Sequence, residues 1–110
     1  MQTITRTNIR DSRLYIKNRE GFAAGGNAYG EANFRGNFPN SAETGRLNRD
    51  WAFAFATDIL SMDYVVYSYG TPIAWHYDNG WVIPDQKFSV STSKHQNAVR
   101  YALIGVDLNS

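Results

Sequence analysis

The chain has 110 residues, 43% of them hydrophobic and 15% aromatic, with a formal net charge of +1 and no cysteine. That length suits a single domain over residues 1–110, which buries roughly two thirds of its unfolded surface and needs no metal or disulfide to fold. Lack of cysteine excludes disulfides, zinc–thiolate centres and cysteine nucleophiles, and the near-neutral charge argues against a general nucleic-acid binder, which is usually strongly basic.

In chain order, MQTITRTNIRDSRLYIK lacks the apolar centre of a signal peptide, and no apolar run reaches the ~18 residues of a membrane span. The expectation is a soluble cytoplasmic protein with no membrane partner. Residues 1–12 are polar and are expected to fray. RLYIK (13–17) is the first predicted strand, with Leu14 and Ile16 on one face and Tyr15 on the other. Residues 21–45 hold six of the nine glycines, which predicts turns and loops broken by short strands, NAYGEANF among them.

LNRDWAFAFATDILSMD (47–63) fits two periods. Trp51, Phe53 and Phe55 alternate with alanines as in a strand, while Leu47, Trp51, Phe55 and Ile59 recur every four residues. Alanine favours helix, Asn48 suits the cap and Asp50 suits the first turn, so the reading leans to a helix over 48–60. YVVYSY (64–69) is β-branched and aromatic, Gly70-Thr71-Pro72 turns the chain, and IAWHY (73–77) runs back. Asp78-Asn79-Gly80 is a hairpin signal, and WVIP closes a meander over 64–84. Alternation puts Val65, Tyr67 and Tyr69 on one face of the first strand, and Ile73, Trp75 and Tyr77 on one face of the second.

KFSVS then leads into STSKHQNAVRYAL. Ser93 with Gln96 has the form of a capping box, and Ala98, Val99, Ala102 and Leu103 follow at helical spacing, which predicts a helix over about 93–103. Lys94 and His95 then fall in a first turn where the helix dipole prefers negative charge. Either an anion docks there, or the lysine is solvated at a cost of a few tenths of a kcal/mol, roughly the size of a surface dipole effect. The predicted fold class is α+β: a small antiparallel sheet packed against a C-terminal helix, with a second helix at 48–60.

YVVYSYGTPIAW, followed by Trp81, Pro84 and SVSTSKHQNAVRYAL, resembles a small domain of unknown function found in phage and bacterial proteins. That family's pattern has the same SYGTPIAW hairpin and a YS-x-TTSKHQ helix start; here Phe88 replaces the Tyr and Ser91 the first Thr, over residues 63–103. The resemblance implies a phage or mobile-element setting and carries no activity with it.

No catalytic residues are assigned from sequence. There is no G-x-S-x-G elbow, no nucleophile beside a base in local sequence and no Walker loop, and GGNAYG lacks the second glycine of a dinucleotide fingerprint. His76 and His95 are the only histidines, so no His-rich metal site forms within one copy, and no cofactor is expected. His76 reads as an exposed or half-buried strand residue, and Asp58, Asp63, Asp78 and Asp85 as turn and strand-end residues. Two binding segments remain. Ser91, Thr92, Ser93, Lys94, His95 and Gln96 would suit an anion or partner at the helix start. Arg6, Arg10, Arg13, Lys17 and Arg19 form the positive end of a chain whose first 50 residues carry eight Lys/Arg against five Asp/Glu. If helical, the first four of these make a stripe; the bland alternative is a solvated tail.

The first functional reading is a non-catalytic phage-type accessory protein that binds a host or phage protein through an aromatic, arginine-containing face, since Tyr, Trp and Arg dominate protein hot spots. Counter-defence or host takeover is what the resemblance adds. The alternative is a nucleic-acid-binding domain using the basic segment and Lys94; a second alternative is a binder of a small anionic ligand at the same helix start. A basic patch joining Arg13, Lys17 and Lys94 favours nucleic acid, an exposed aromatic patch or two-fold interface favours protein, and a deep polar pocket at Ser93 favours the small ligand. Homo-oligomerisation is left open.

Overall fold

A computed structural model describes residues 5–24, 28–32, 45–78 and 80–109. The β-branched and aromatic run forms Met62–Ser68 (β4), which pairs antiparallel with Thr71–Tyr77 (β5); β5 pairs in turn with Gly80–Val82 (β6). On the other side of β4 lie Ala28–Ala32 (β3), Phe22–Ala24 (β2) and Thr5–Thr7 (β1). The six strands among the described residues lie in the sheet in chain order, and every neighbouring pair is antiparallel except β1 and β2. That parallel pair is joined through a short helix, Ser12–Lys17 (α1). Arg49–Asp58 (α2) and Val90–Ala102 (α3) complete the α+β fold predicted from sequence.

Side chains alternate across β4, so the sheet is buried on both faces. Tyr64 and Val66 join Ile16, Phe22, Ala74, Val99 and Leu103 beneath α1 and α3. Val65 and Tyr67 join Phe55, Met62 and Trp75 beneath α2. Trp75 anchors the second cluster: its ring meets Phe55 edge-on at 5.1 Å, and its indole N–H donates to Asp58 Oδ2 at 2.9 Å. In the first cluster Gly30, opposite Val66, passes directly over two rings; a Cβ there would collide with Phe22 and the Tyr64 hydroxyl. That hydroxyl donates to Glu20 O at 2.7 Å, and burial pushes its pKa well above the ordinary tyrosine range.

Several expectations are corrected. Residues 13–17 are helix, not strand: Leu14 is exposed while Ile16 is buried, which strand alternation cannot give. Asn8 starts the turn, accepting from Asp11 N at 2.7 Å and donating to Asp11 Oδ2 at 3.0 Å. Residues 5–7, placed by sequence in a fraying tail, pair with β2. Ile73 joins the cluster opposite to Trp75, because pairing runs from Val66↔Ala74 to Tyr67↔Pro72 and leaves Ile73 in a bulge. Tyr69 shares no strand face; it and Gly70 form the β4–β5 turn with φ of 51° and 78°, the sign pattern of a tight hairpin loop. His76 is 2% exposed rather than half-buried, with Nδ1 2.7 Å from Asp63 Oδ1.

The C-terminal helix starts three residues before its predicted position. Ser89 is its cap, accepting from Thr92 N, and Ser93 is not. Gln96 closes no capping box: it is buried, and its Nε2 donates to Gln86 O at 3.0 Å. Thr92 and Gln96 occupy the buried row that continues to Val99 and Leu103, so polar residues on the inner face hid the first turn from a hydrophobic pattern. Lys94 thus lies beyond the first turn, and its conflict with the helix dipole disappears.

Candidate binding sites

The β4–β5 turn packs against the first turns of α3 and brings together residues far apart in sequence. Ser68 Oγ lies 3.1 Å from Thr92 Oγ1 and 2.6 Å from His95 Nδ1. Ser89 Oγ reaches Thr92 Oγ1 at 3.3 Å, extending the chain of hydroxyls to the helix cap. The Tyr69 ring stacks on the His95 imidazole, with centroids 5.9 Å apart and planes 22° from parallel. Burial lowers the His95 pKa, so the neutral ring dominates at pH 7. Sequence reasoning found no hydroxyl beside a base because Ser68 and His95 are 27 positions apart and meet only when the hairpin docks on α3.

Beside this node opens a cavity of about 550 Å³. Its walls include Arg46, Tyr69, Lys87, Phe88, Ser89 and Ser91. Gln86 fastens one wall: Nε2 donates to Arg46 O at 2.8 Å and Oε1 accepts from Asn48 N at 2.8 Å. Arg46 N donates to Thr71 Oγ1 at 2.9 Å, tying the same segment to the hairpin. Of the predicted helix-start residues, Ser91 and Thr92 line this cavity, His95 backs it through the node and Gln96 braces it through Gln86. Ser93 and Lys94 do not line it, and the polar pocket lies around Ser89–Thr92, one turn earlier than Ser93 suggested.

Lys94 belongs to a second surface, where α1 lies beside α3. Two adjoining depressions share Arg10, Arg13 and Tyr101. One runs on to Leu14, Lys17 and Ile104; the other to Ile9, Lys94 and Asn97. Arg100 lies alongside with Tyr101 and Ile104. The Arg13 guanidinium sits 5.8 Å from the Tyr101 ring centroid, and its Nε donates to Arg10 O at 2.8 Å. Leu14, Tyr101 and Ile104 are 67%, 61% and 70% exposed. The fold thus gathers Arg10, Arg13, Lys17 and Lys94, which sequence had assigned to two separate segments. Arg6 is on β1 instead, and Arg19 Nε lies 4.0 Å from Asp63 Oδ2. Tyr101, Leu14 and Ile104 carry no sequence cue to a shared surface: Leu14 sits in a strand-like run, Tyr101 in the predicted helix and Ile104 just beyond it, and nothing signals that α1 lies alongside.

A family model described as a family of unknown function, DUF8033, matches residues 4–105. The chain belongs to that family. The match spans every strand and α-helix among the described residues. No curated protein and no solved structure gives a match. Among the described residues, no three His, Asp or Glu side chains are grouped to hold a metal ion, and no helix is long and apolar enough to cross a membrane.

Proposed function

We propose that the chain is a phage-type accessory protein, cytoplasmic in the host cell, that binds another protein through the α1–α3 face. The observation that carries this reading is the make-up of that face: exposed Leu14, Tyr101 and Ile104 line it together with Arg10, Arg13, Lys17, Lys94 and Arg100. Apolar and aromatic side chains set among arginines are what protein interfaces are built from. Asp11 is the one acid among these lining residues, and it is engaged by Asn8, so the partner's complementary surface is acidic. The phage setting, and a counter-defence or host-takeover role with it, rests on the likeness of the SYGTPIAW hairpin and the helix start.

The test is site-specific photo-crosslinking from position 14 in host-cell extract. A discrete acidic protein crosslinked from position 14, absent from position 53 on α2 and lost in Arg13→Glu, supports the reading. Equal adducts from positions 14 and 53 sink it.

A nucleic-acid partner has one specific observation in its favour: Arg13, Lys17 and Lys94 do line one continuous surface. Anisotropy titrations with labelled single- and double-stranded oligonucleotides decide it. Micromolar binding that weakens steeply with salt and falls in Lys94→Glu favours nucleic acid, and no binding at low salt removes it.

A further inference from the structure

The cavity beside the Ser68–Thr92–His95 node is separate from the α1–α3 face, and its walls have a definite chemistry. Arg46 and Lys87 reach it from two different segments, while no carboxylate lines it among the described residues. Two cations with no opposing acid among the described residues make a concave surface of one sign, which favours an anionic group. Guanidinium and ammonium are also the side chains best suited to phosphate oxygens. Ser89 and Ser91 add hydroxyls that donate or accept.

The opposite requirement, a flat apolar partner, is met on the same walls. Tyr69 lines the cavity, is 54% exposed and is fixed on one side by its stack on His95. Its backbone takes φ 51° in the hairpin turn. Phe88 supplies a second ring, half-buried, on the adjoining segment. A ring held before a ligand arrives loses little freedom on binding, which is the advantage of a preorganised site. The Ser68–His95 and Ser68–Thr92 contacts and the Gln86 clamp hold the hairpin, the 46–48 segment and α3 in fixed relation around this space. At about 550 Å³ it falls inside the range of roughly 300–1,000 Å³ usual for small-molecule sites.

We propose that this cavity binds a mononucleotide, with the base against Tyr69 and the phosphate between Arg46 and Lys87. A planar ring joined to a phosphate supplies both chemistries that the walls complement, whereas phosphate alone leaves the rings unused and a bare nucleoside leaves the cations unused. Ser68 acts as a brace in this assignment, and no bond is made or broken. The site is independent of the α1–α3 reading, because none of Arg10, Arg13, Lys17 and Lys94 lines it.

The full chain is titrated by calorimetry and by thermal melting with the nucleoside monophosphates, with adenosine and with inorganic phosphate at matched ionic strength. At least one nucleoside monophosphate is expected to bind about tenfold or more tighter than phosphate or nucleoside alone, and to raise the melting temperature. Arg46→Glu with Lys87→Glu should weaken it by a further factor of about ten or more. Tyr69→Asn, which keeps a residue tolerant of positive φ while removing the ring, should weaken it while leaving folding intact. Arg13→Glu should leave it unchanged. No binding of any monophosphate at roughly millimolar concentration overturns the proposal, as does inorganic phosphate binding equally well. Equal loss in Arg13→Glu also overturns it, by placing the ligand on the other face. A 5′-phosphorylated oligonucleotide binding far more tightly than the monophosphate would replace the free nucleotide with a strand end.

Discussion

On the α2 side of the sheet, Phe55, Met62, Val65, Tyr67 and Trp75 pack as an aromatic-rich layer joined to α2 by the Trp75–Asp58 hydrogen bond. On the α1–α3 side, large apolar residues are interleaved with buried polar ones: Ser12, Ser68, His76, Thr92 and Gln96. Both sides exclude water, and the α2 side pairs its Trp75 N–H, but the second holds more buried polar side chains: hydroxyls, an imidazole and an amide. A buried polar group left unpaired costs about 1–3 kcal/mol, so the hydrogen-bond geometry on that side is tightly specified where apolar packing tolerates exchange. Both candidate binding surfaces border the specified side. Packing on the α2 side contributes stability, and the polar side fixes where the hairpin, α3 and their surface groups stand.

Four experiments test this contrast. The largest effect is expected from Trp75→Ala, which empties the centre of the α2 layer and orphans Asp58; a loss of about 3–5 kcal/mol in chemical denaturation is expected. Gly30→Ala, on the other side, pushes a methyl into Phe22 and Tyr64 and should cost about 1–3 kcal/mol. If it costs as much as Trp75→Ala, the α2 layer is not the greater source of stability and the contrast fails. Ser89→Ala removes the true cap of α3 and should cost about 0.5–2 kcal/mol, while Ser93→Ala stays within about 0.5 kcal/mol of wild type. The reverse order would restore the helix start read from sequence.

The smallest effect is in pH. His95 has a folded pKa below its ordinary value of 6.5 because burial disfavours the charged ring. The unfolded chain therefore takes up the proton first as pH falls. The contribution of a neutral His95 is complete above about 6.5 and is lost progressively as pH drops towards the folded pKa. Melting temperatures from pH 7 to pH 5 should fall more for wild type than for His95→Gln. Parallel curves would show that the imidazole titrates alike in both states.

The contrast also accounts for what the sequence made legible. The α2 layer was readable because its signals are apolar and periodic: Leu47, Trp51, Phe55 and Ile59 at fourfold spacing, with Asn48 at the cap. β4 and β5 were readable from composition. The polar side was not. Thr92 and Gln96 are inward-facing residues of a kind normally found at the surface, so nothing apolar marks the first turn of α3. Ile73 crossed to the other face through a bulge that no alternation pattern announces. α1 carries a strand-like run, and a turn begun by Asn8 decides against it. The binding residues suffered for the same reason. Arg13 and Lys94 were each noted, but that they share a surface follows only from α1 lying beside α3.

The strand order has a further consequence, for how the chain acquires its shape. Each strand pairs with its neighbour in chain order, so no pairing has to thread between strands already joined. The β4–β5 hairpin closes over a two-residue turn, among the fastest steps open to a polypeptide, with formation in about 1–10 μs. It presents one edge to β6, close by in the chain, and the other to β3, which returns from beyond α2, and the sheet widens outward from there in antiparallel pairs. β1 is the exception. It joins in parallel through α1, at three residues, on the outer edge. In hydrogen exchange, amides of β4 and β5 should therefore be the last to open and those of β1 among the first.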